Sequence, residues 1–86
     1  MPRIKTAEFL ERIEQGDFNT VRLRGVQDGS FCLLLEDEDG AFILENKNGD
    51  FKSYRQVEAA LSWLKRKTQV HEVIVDIGIW KDDSQS

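Results

Sequence analysis

Strand-like alternation of apolar and polar residues marks the part of the chain that follows residue 19. From Thr20 to Val26 apolar side chains recur at alternate positions, while Arg22 and Arg24 point to the opposite face. The alternation breaks near Gly25, where we predict a bulge. Phe31 to Leu35 is apolar at every position. A strand that is apolar on both faces is typical of the centre of a sheet, with a helix on one side.

Turn-forming residues separate the strands that follow. Asp28-Gly29 predicts a tight hairpin with positive φ between the first two strands. The acidic run Glu36 to Asp39 predicts a solvated turn, after which Ala41 to Glu45 forms a third strand. Asn48-Gly49 is a second hairpin signal, so Phe51 to Tyr54 is predicted to be a short fourth strand.

The period changes to that of a helix near the start of the chain. Thr6 is the predicted N-cap of a helix that runs to about Gln15, and Gly16 is its predicted terminator. One apolar stripe lies along this helix, formed by Phe9, Leu10 and Ile13.

A second helical period follows Tyr54 and leads into a final strand. Lys65, Arg66 and Lys67 lie in the last turn of this helix, where positive charge suits the helix dipole. The β-branched segment Val70 to Ile79 predicts a strand, with a bend at Gly78. The apolar stripe of the helix consists of Val57, Ala60, Leu61 and Leu64.

These elements predict an α+β fold in the order α-β-β-β-(β)-α-β. A mainly antiparallel sheet with both helices on one face is the simplest way to bury two apolar stripes. The 86-residue length fits one domain, predicted to cover residues 1–81, with a disordered tail at residues 82–86.

Composition limits the classes of partner and the cellular location that we expect for the protein. The chain is 40% hydrophobic and 33% charged, with a net charge of −4, which disfavours nucleic-acid binding driven by overall charge. Cys32 is the single cysteine, so no intramolecular disulfide can form. The N-terminus lacks the apolar core of a signal peptide, and no apolar segment is long enough to cross a bilayer. We therefore expect a cytoplasmic protein without membrane contact.

Few residues in the sequence have the pattern of a catalytic or metal site. His71 is the only histidine, and Cys32 lies far from it in sequence. The acidic turn lacks the alternating ligands and the distal glutamate of a calcium-binding loop. No glycine-rich phosphate loop, nucleophile elbow or paired-cysteine motif occurs. We expect no enzyme activity, no metal and no cofactor.

Basic residues and tryptophans are the candidate contacts for a partner. Arg22 and Arg24 share one sheet face, which is either a phosphate-binding surface or a solvated face of alternating charge. Trp63 lies at the edge of the helix stripe, and Trp80 falls in phase with Ile74 and Asp76; either ring packs at the core edge or anchors an interface. The candidate residues are Arg22, Arg24, Lys52, Arg55, Trp63, Lys65, Arg66, Lys67 and Trp80.

Several short segments form a recognisable layout when they are taken together. They are Lys5 to Leu10, the Arg-rich meander, Phe51 to Tyr54, the helix with Ala59, Ala60, Leu61 and Leu64, Val75-Asp76 and the closing Trp80. This layout resembles that of small proteobacterial proteins of plasmids and integrating elements, namely the ParC-type partition-associated and RepB-type replication proteins. The resemblance covers nearly the whole chain, and it implies an accessory role in plasmid or mobile-element maintenance. The acidic turn at residues 36–39 and the net negative charge depart from the family pattern.

Three functional hypotheses follow from the sequence. The first is a non-enzymatic accessory protein of replication or partition that acts mainly through protein contacts. The second is direct binding of nucleic acid by the face that carries Arg22 and Arg24. The third is a homodimer formed through a strand edge or through the region of Trp80.

Overall fold

The computed structural model describes residues 2–80 of the chain. Eight elements follow one another in this range. They are β1 (Arg3–Ile4), α1 (Thr6–Gln15), β2 (Thr20–Gly25), β3 (Phe31–Asp37), β4 (Gly40–Leu44), β5 (Ser53–Tyr54), α2 (Val57–Lys67) and β6 (Ile74–Asp76).

One mixed sheet in the order β1-β4-β3-β2-β6 forms the body of the domain, with β5 also paired to β3. The central pairs, β2 with β3 and β3 with β4 and β5, are antiparallel. The outer strands β1 and β6 pair in parallel with β4 and β2. The predicted α+β class and the mainly antiparallel sheet are confirmed, and the parallel pairs occur at its edges.

Both helices pack on one face of this sheet, as predicted. Phe9 and Ile13 of α1 share a single core cluster with Ala60 and Leu64 of α2. The register places Val21 opposite Leu35, Leu23 opposite Leu33 and Gly25 opposite Phe31, so these residues share the helix-covered face.

β3 lies at the centre of the sheet, as its apolar sequence predicts. All residues from Phe31 to Leu35 are buried, and the strand pairs with β2 on one side and with β4 and β5 on the other. Leu34 and Cys32 point away from the helices, yet they are 0% and 2% exposed. Side chains on the open face of the sheet must therefore cover them.

The start of α1 differs from its prediction, whereas its end agrees. Thr6 is already helical, and Lys5 occupies the N-cap position without a side-chain capping bond. Ile4 pairs with Leu44, which fixes the chain in an extended form up to Lys5, and the helix begins immediately afterwards. At the other end Gly16 has a φ of 73° and closes the helix through bonds from its own N–H and from that of Asp17.

Three further differences concern the strands. β1 was not predicted, because two residues with a distant partner carry no periodic signal. Gly25 stays in register with Phe31, so the predicted bulge is absent at this position. The last strand is shorter than the predicted Val70 to Ile79, since pairing with β2 is confined to Ile74–Asp76. The predicted tail at residues 82–86 lies outside the described residues.

The acidic turn after β3 is held by its own side chains and by α1. Asp37 Oδ1 accepts hydrogen bonds from the N–H groups of Asp39 and Gly40, which closes the turn. Asp37 Oδ2 accepts a hydrogen bond from Arg12, whose guanidinium also pairs with Asp17. The bond from Arg12 is the main cause that lowers the pKa of Asp37. The turn thus fastens α1 to the end of the sheet.

We expect Asp37→Asn to lower the free energy of unfolding at neutral pH, because the ion pair with Arg12 is lost. The lowered pKa of Asp37 means that the pair stabilises the fold above the ordinary carboxyl pKa and is lost as pH falls through the folded value. Urea unfolding of both proteins between neutral and strongly acidic pH measures the difference. The difference should close in acid, and one that persists unchanged would contradict this account. Asp39→Asn, in the same turn, is the matched control.

Candidate interaction surface

The arginines of β2 are paired with carboxylates on the open sheet face. Arg22 Nε donates to both carboxylate oxygens of Glu36, each at 3.1 Å. Arg24 Nε lies 3.8 Å from Asp76 Oδ2. The charges of this face, for which the sequence left open phosphate binding or a solvated face of alternating charge, are thus balanced by carboxylates of neighbouring strands.

These arginines also lie over the apolar residues of β3. Arg22 is the cross-strand neighbour of Leu34, and Arg24 is that of Cys32, so each pair points to the same face. Arginine stems cover apolar surface while the guanidinium stays near water. Burial raises the pKa of the Cys32 thiol, as expected for a site under such cover. The arginines flank these residues on one side, and Ile43 of β4 and Ser53 of β5 are their cross-strand neighbours on the other.

Lys52 lies between two aromatic rings at the junction of β5 and α2. Its Nζ is 5.4 Å from the ring centroid of Tyr54 and 5.1 Å from that of Trp63. Trp63 is half-buried and packs against Phe9, as its helical phase predicts. Burial raises the pKa of Tyr54, against the opposing charge of Arg66, and the buried Tyr54 hydroxyl lacks a hydrogen-bond partner among the described residues. The sequence did not indicate this cation–π group.

The remaining basic candidates are exposed. Arg55 follows β5, and the cluster Lys65 to Lys67 forms the last turn of α2 as predicted. None of them takes part in the ion pairs found within residues 2–80. The uncompensated positive charge of the candidate set therefore lies around α2 and not on the sheet face of Arg22.

Trp80 lies on the helix-covered face of the sheet. The alternation of the strand had predicted the opposite face, the one that carries Ile74 and Asp76. A turn follows β6, in which Asp76 Oδ1 accepts from the Gly78 N–H and Ile77 O accepts from the Trp80 N–H. This turn confirms the predicted bend and carries the indole over Gly25. There the ring stacks on Phe31 at a centroid distance of 5.6 Å, and Nε1 donates to Gly29 O at 3.0 Å. Trp80 is thus an anchor for the end of the last strand.

The segment between residues 74 and 79 exposes a run of large apolar side chains. β6 pairs with β2 on one side, and no strand within residues 2–80 pairs with its other side. Most of the large exposed hydrophobic residues of the described chain lie here. Their exposed fractions are 47% for Ile74, 42% for Val75, 58% for Ile77 and 58% for Ile79.

The residues of this edge are not among the candidate contacts that the sequence predicts. The sequence signal is a final strand with β-branched residues on both faces, a pattern that is also typical of a buried strand. Alternation cannot separate a buried central strand from an exposed apolar edge, because both lack a polar face. The topology makes the distinction, since it places β6 at the margin of the sheet.

Comparison with protein-family models, curated proteins and solved structures finds no match to this chain. Among the described residues, no helix is both long and apolar enough to span a membrane.

His71 occupies an exposed position between α2 and β6. It lines a groove of about 890 Å³ together with Glu14 and Glu72. Its imidazole is absent from the ion pairs of the described chain, although acid–base catalysis needs a partner at hydrogen-bond distance. Residues 2–80 also contain no group of three His, Cys, Asp or Glu side chains able to hold a metal.

The contact between Gly25 and Trp80 gives a stability test. A Cβ built on Gly25 would collide with Cβ, Cγ and Cδ1 of Trp80. We expect Gly25→Ala to lower the free energy of unfolding by about 1–3 kcal/mol, the usual cost of overpacking. In a Trp80→Gly background the cost should vanish, because the side chain that the new Cβ would meet is gone. Alanine is otherwise favoured over glycine in a strand. Urea unfolding of the four proteins measures the coupling, and equal costs in both backgrounds would contradict the packing.

Proposed function

We propose that this domain is a non-enzymatic accessory module that acts through protein contact, with the outer edge of β6 as its docking surface. The resemblance to plasmid partition and replication proteins suggests a role in mobile-element maintenance in the cytoplasm. The observation that carries the proposal is the run of exposed apolar side chains in an edge strand and in the turn directly after it, from Ile74 to Ile79.

The chemistry of this edge is unusual for one that stays in water. Proteins protect sheet edges with lysine, proline, bulges or covering loops, because unpaired N–H and C=O groups otherwise recruit other strands. β6 is protected by its short length and by Asp76, whereas Ile74 and Val75 are both more than two-fifths exposed. A partner strand would satisfy the backbone groups and bury these side chains together.

The apolar surface continues from the edge onto the helix-covered side. A groove between α2 and β6 is lined by five apolar residues, Leu61, Leu64, Val70, Val73 and Val75, and at its polar positions by Ser62, Lys65 and His71. Leu61 is itself 39% exposed. A strand added at the edge could therefore place alternate side chains into this groove, which supplies specificity in addition to backbone bonds.

The proposal predicts that basic substitutions on the edge abolish capture of the physiological partner. We expect the double variant Ile74→Lys/Ile77→Lys to lose at least one protein that the tagged wild type retains from its own host. Quantitative mass spectrometry of the captured proteins measures the loss, and reconstitution of the complex from purified components must reproduce it.

Phe51→Lys provides the matched control, because Phe51 is 44% exposed, close to the 47% of Ile74, and lies outside β6. This variant should capture the same proteins as the wild type. Equal loss in both variants would indicate nonspecific apolar adsorption, and equal retention would place the docking surface elsewhere. Either result would overturn the proposal.

Nucleic-acid binding is a second candidate function, supported by the exposed cations around α2. Lys65, Arg66 and Lys67 are outside the ion pairs of the described chain, and Lys52 lies against the rings of Tyr54 and Trp63. Single-stranded nucleic acid is bound by cations combined with aromatic stacking surfaces. This candidate uses α2 and β5, whereas Arg22 and Arg24 are engaged with carboxylates.

For this second candidate we expect Lys65→Ala/Arg66→Ala/Lys67→Ala to weaken binding of single-stranded DNA and to reduce its salt dependence. Each phosphate contact that is removed should lower the slope of log affinity against log salt by about 0.7. Fluorescence titration at several salt concentrations measures both effects. Arg22→Gln/Arg24→Gln, which removes both charges and keeps most of each side-chain stem, is the control and should leave affinity unchanged. Absence of wild-type binding at low salt would exclude this function.

A further inference from the structure

The hydrogen-bond pattern of β2 determines which backbone groups of β6 remain open. The Val26 N–H donates to Ser30 O, which marks a bonded pair of the antiparallel ladder with β3. Bonded pairs recur at every second residue, so the backbone groups of Arg22 and Arg24 also face β3. Those of Leu23 consequently face β6.

The parallel register carries this pattern across to β6. Leu23 lies opposite Val75, and in a parallel ladder its N–H and C=O bond to the two residues that flank Val75. Ile74 and Asp76 therefore direct their backbone groups toward β2. The N–H and C=O of Val75, the middle residue of β6, point outward.

A residue whose N–H and C=O both point out of the sheet edge can form hydrogen bonds with the same residue of a second copy. Two copies related by a two-fold axis through Val75 would exchange both backbone hydrogen bonds at that residue, and Val73 would lie opposite Ile77 of the other copy. If the two-fold axis passed through Ile74, Glu72 of one copy would lie opposite Asp76 of the other. If it passed through Asp76, the two copies of Asp76 would lie opposite each other. Like charges directly opposite each other destabilise a strand pair, so charge favours the axis at Val75.

The same axis suits the helix-covered side of the edge. Val75 shares a face with Leu23 in the core, and Val73 and Val75 line the groove beside Leu61 of α2. A two-fold axis perpendicular to the sheet keeps both copies of α2 on one side of the joined sheet. Each exposed Leu61 then lies on the same side as the groove of the other copy, whose lining combines Val73 and Val75 with Lys65 and His71.

We propose that the occupant of the β6 edge is a second copy of this chain, paired antiparallel about Val75 into one continuous sheet. This inference rests on the proposed function of the edge as a protein docking surface. It gives a specific register and two-fold axis to the homodimer that the sequence suggested as a third hypothesis.

Proline at residue 75 tests the register directly. Val75→Pro removes an N–H that has no role in the pairing with β2, and the ring blocks the outer edge. The control Val75→Thr keeps the N–H and a β-branched shape. Sedimentation equilibrium from micromolar to millimolar concentration should show a dimer for the wild type and for Val75→Thr. We expect Val75→Pro to weaken the dimer at least tenfold, since two symmetric hydrogen bonds are lost (about tenfold per 1.4 kcal/mol).

Amide exchange keeps the proposal testable if Val75→Pro fails to fold. In the wild type, exchange at Val75 should slow as protein concentration rises, while Ile74 and Asp76 are already protected at low concentration by their bonds to β2. A Val75 amide whose exchange is independent of concentration would overturn the proposal. So would a monomer at millimolar concentration, or a dimer that Val75→Pro leaves intact.

Failure of this inference is separable from failure of the proposed function. A monomeric wild type whose host protein is captured by the native chain and lost in Ile74→Lys/Ile77→Lys would exclude the second copy while retaining the docking edge. A dimer held at another surface, together with no effect of the lysines on capture, would exclude both.

Discussion

Burial of β3 on both of its faces is the constraint on which the rest of the structure depends. Leu33 and Leu35 face the helices and Leu34 faces the other way, yet all three are fully buried. Full burial of a leucine side chain stabilises a fold by roughly 1.5–3 kcal/mol. A domain of this size has little apolar surface to spare, so both sides of its central strand must be covered.

The two faces are covered by different means. On one side α1 and α2 supply Phe9, Ile13, Ala60 and Leu64 in the ordinary manner of an α+β domain. On the other side, the cross-strand neighbours of Leu34 and Cys32 are the arginines paired with Glu36 and Asp76, together with Ile43 and Ser53. The stems of these arginines contribute to packing, and their guanidinium groups form ion pairs with carboxylates of neighbouring strands.

The sequence predicted those features that arise from local periodicity. The alternation at Val21 and Leu23 and the continuous run from Phe31 placed the central strands correctly, and Gly16 marked the end of α1. β1 was missed because its structure depends on a pairing with Leu44, forty residues away in sequence. Trp80 was assigned to the wrong face because strand phase does not continue through the turn at Gly78.

The candidate surface was harder to predict than the fold, for a related reason. Basic residues are conspicuous in a sequence, but whether a carboxylate neutralises them depends on which strands are adjacent. Arg24 and Asp76 are paired only because β6 returns beside β2. The apolar edge was not predicted for the same reason, because the position of β6 in the sheet depends on that crossover. β-branched residues on both faces give the same sequence pattern in a central strand and in an edge strand.

The two margins of the sheet differ in their cover. Ile4 of β1 is buried in the core cluster, whereas Ile74 and Val75 of β6 are 47% and 42% exposed. Trp80 fastens the end of β6 to Gly29 and Phe31, which holds an exposed apolar edge in a defined position. Addition of a strand to an anchored edge costs less ordering entropy than addition to a mobile one, because the edge strand is already ordered in the fold.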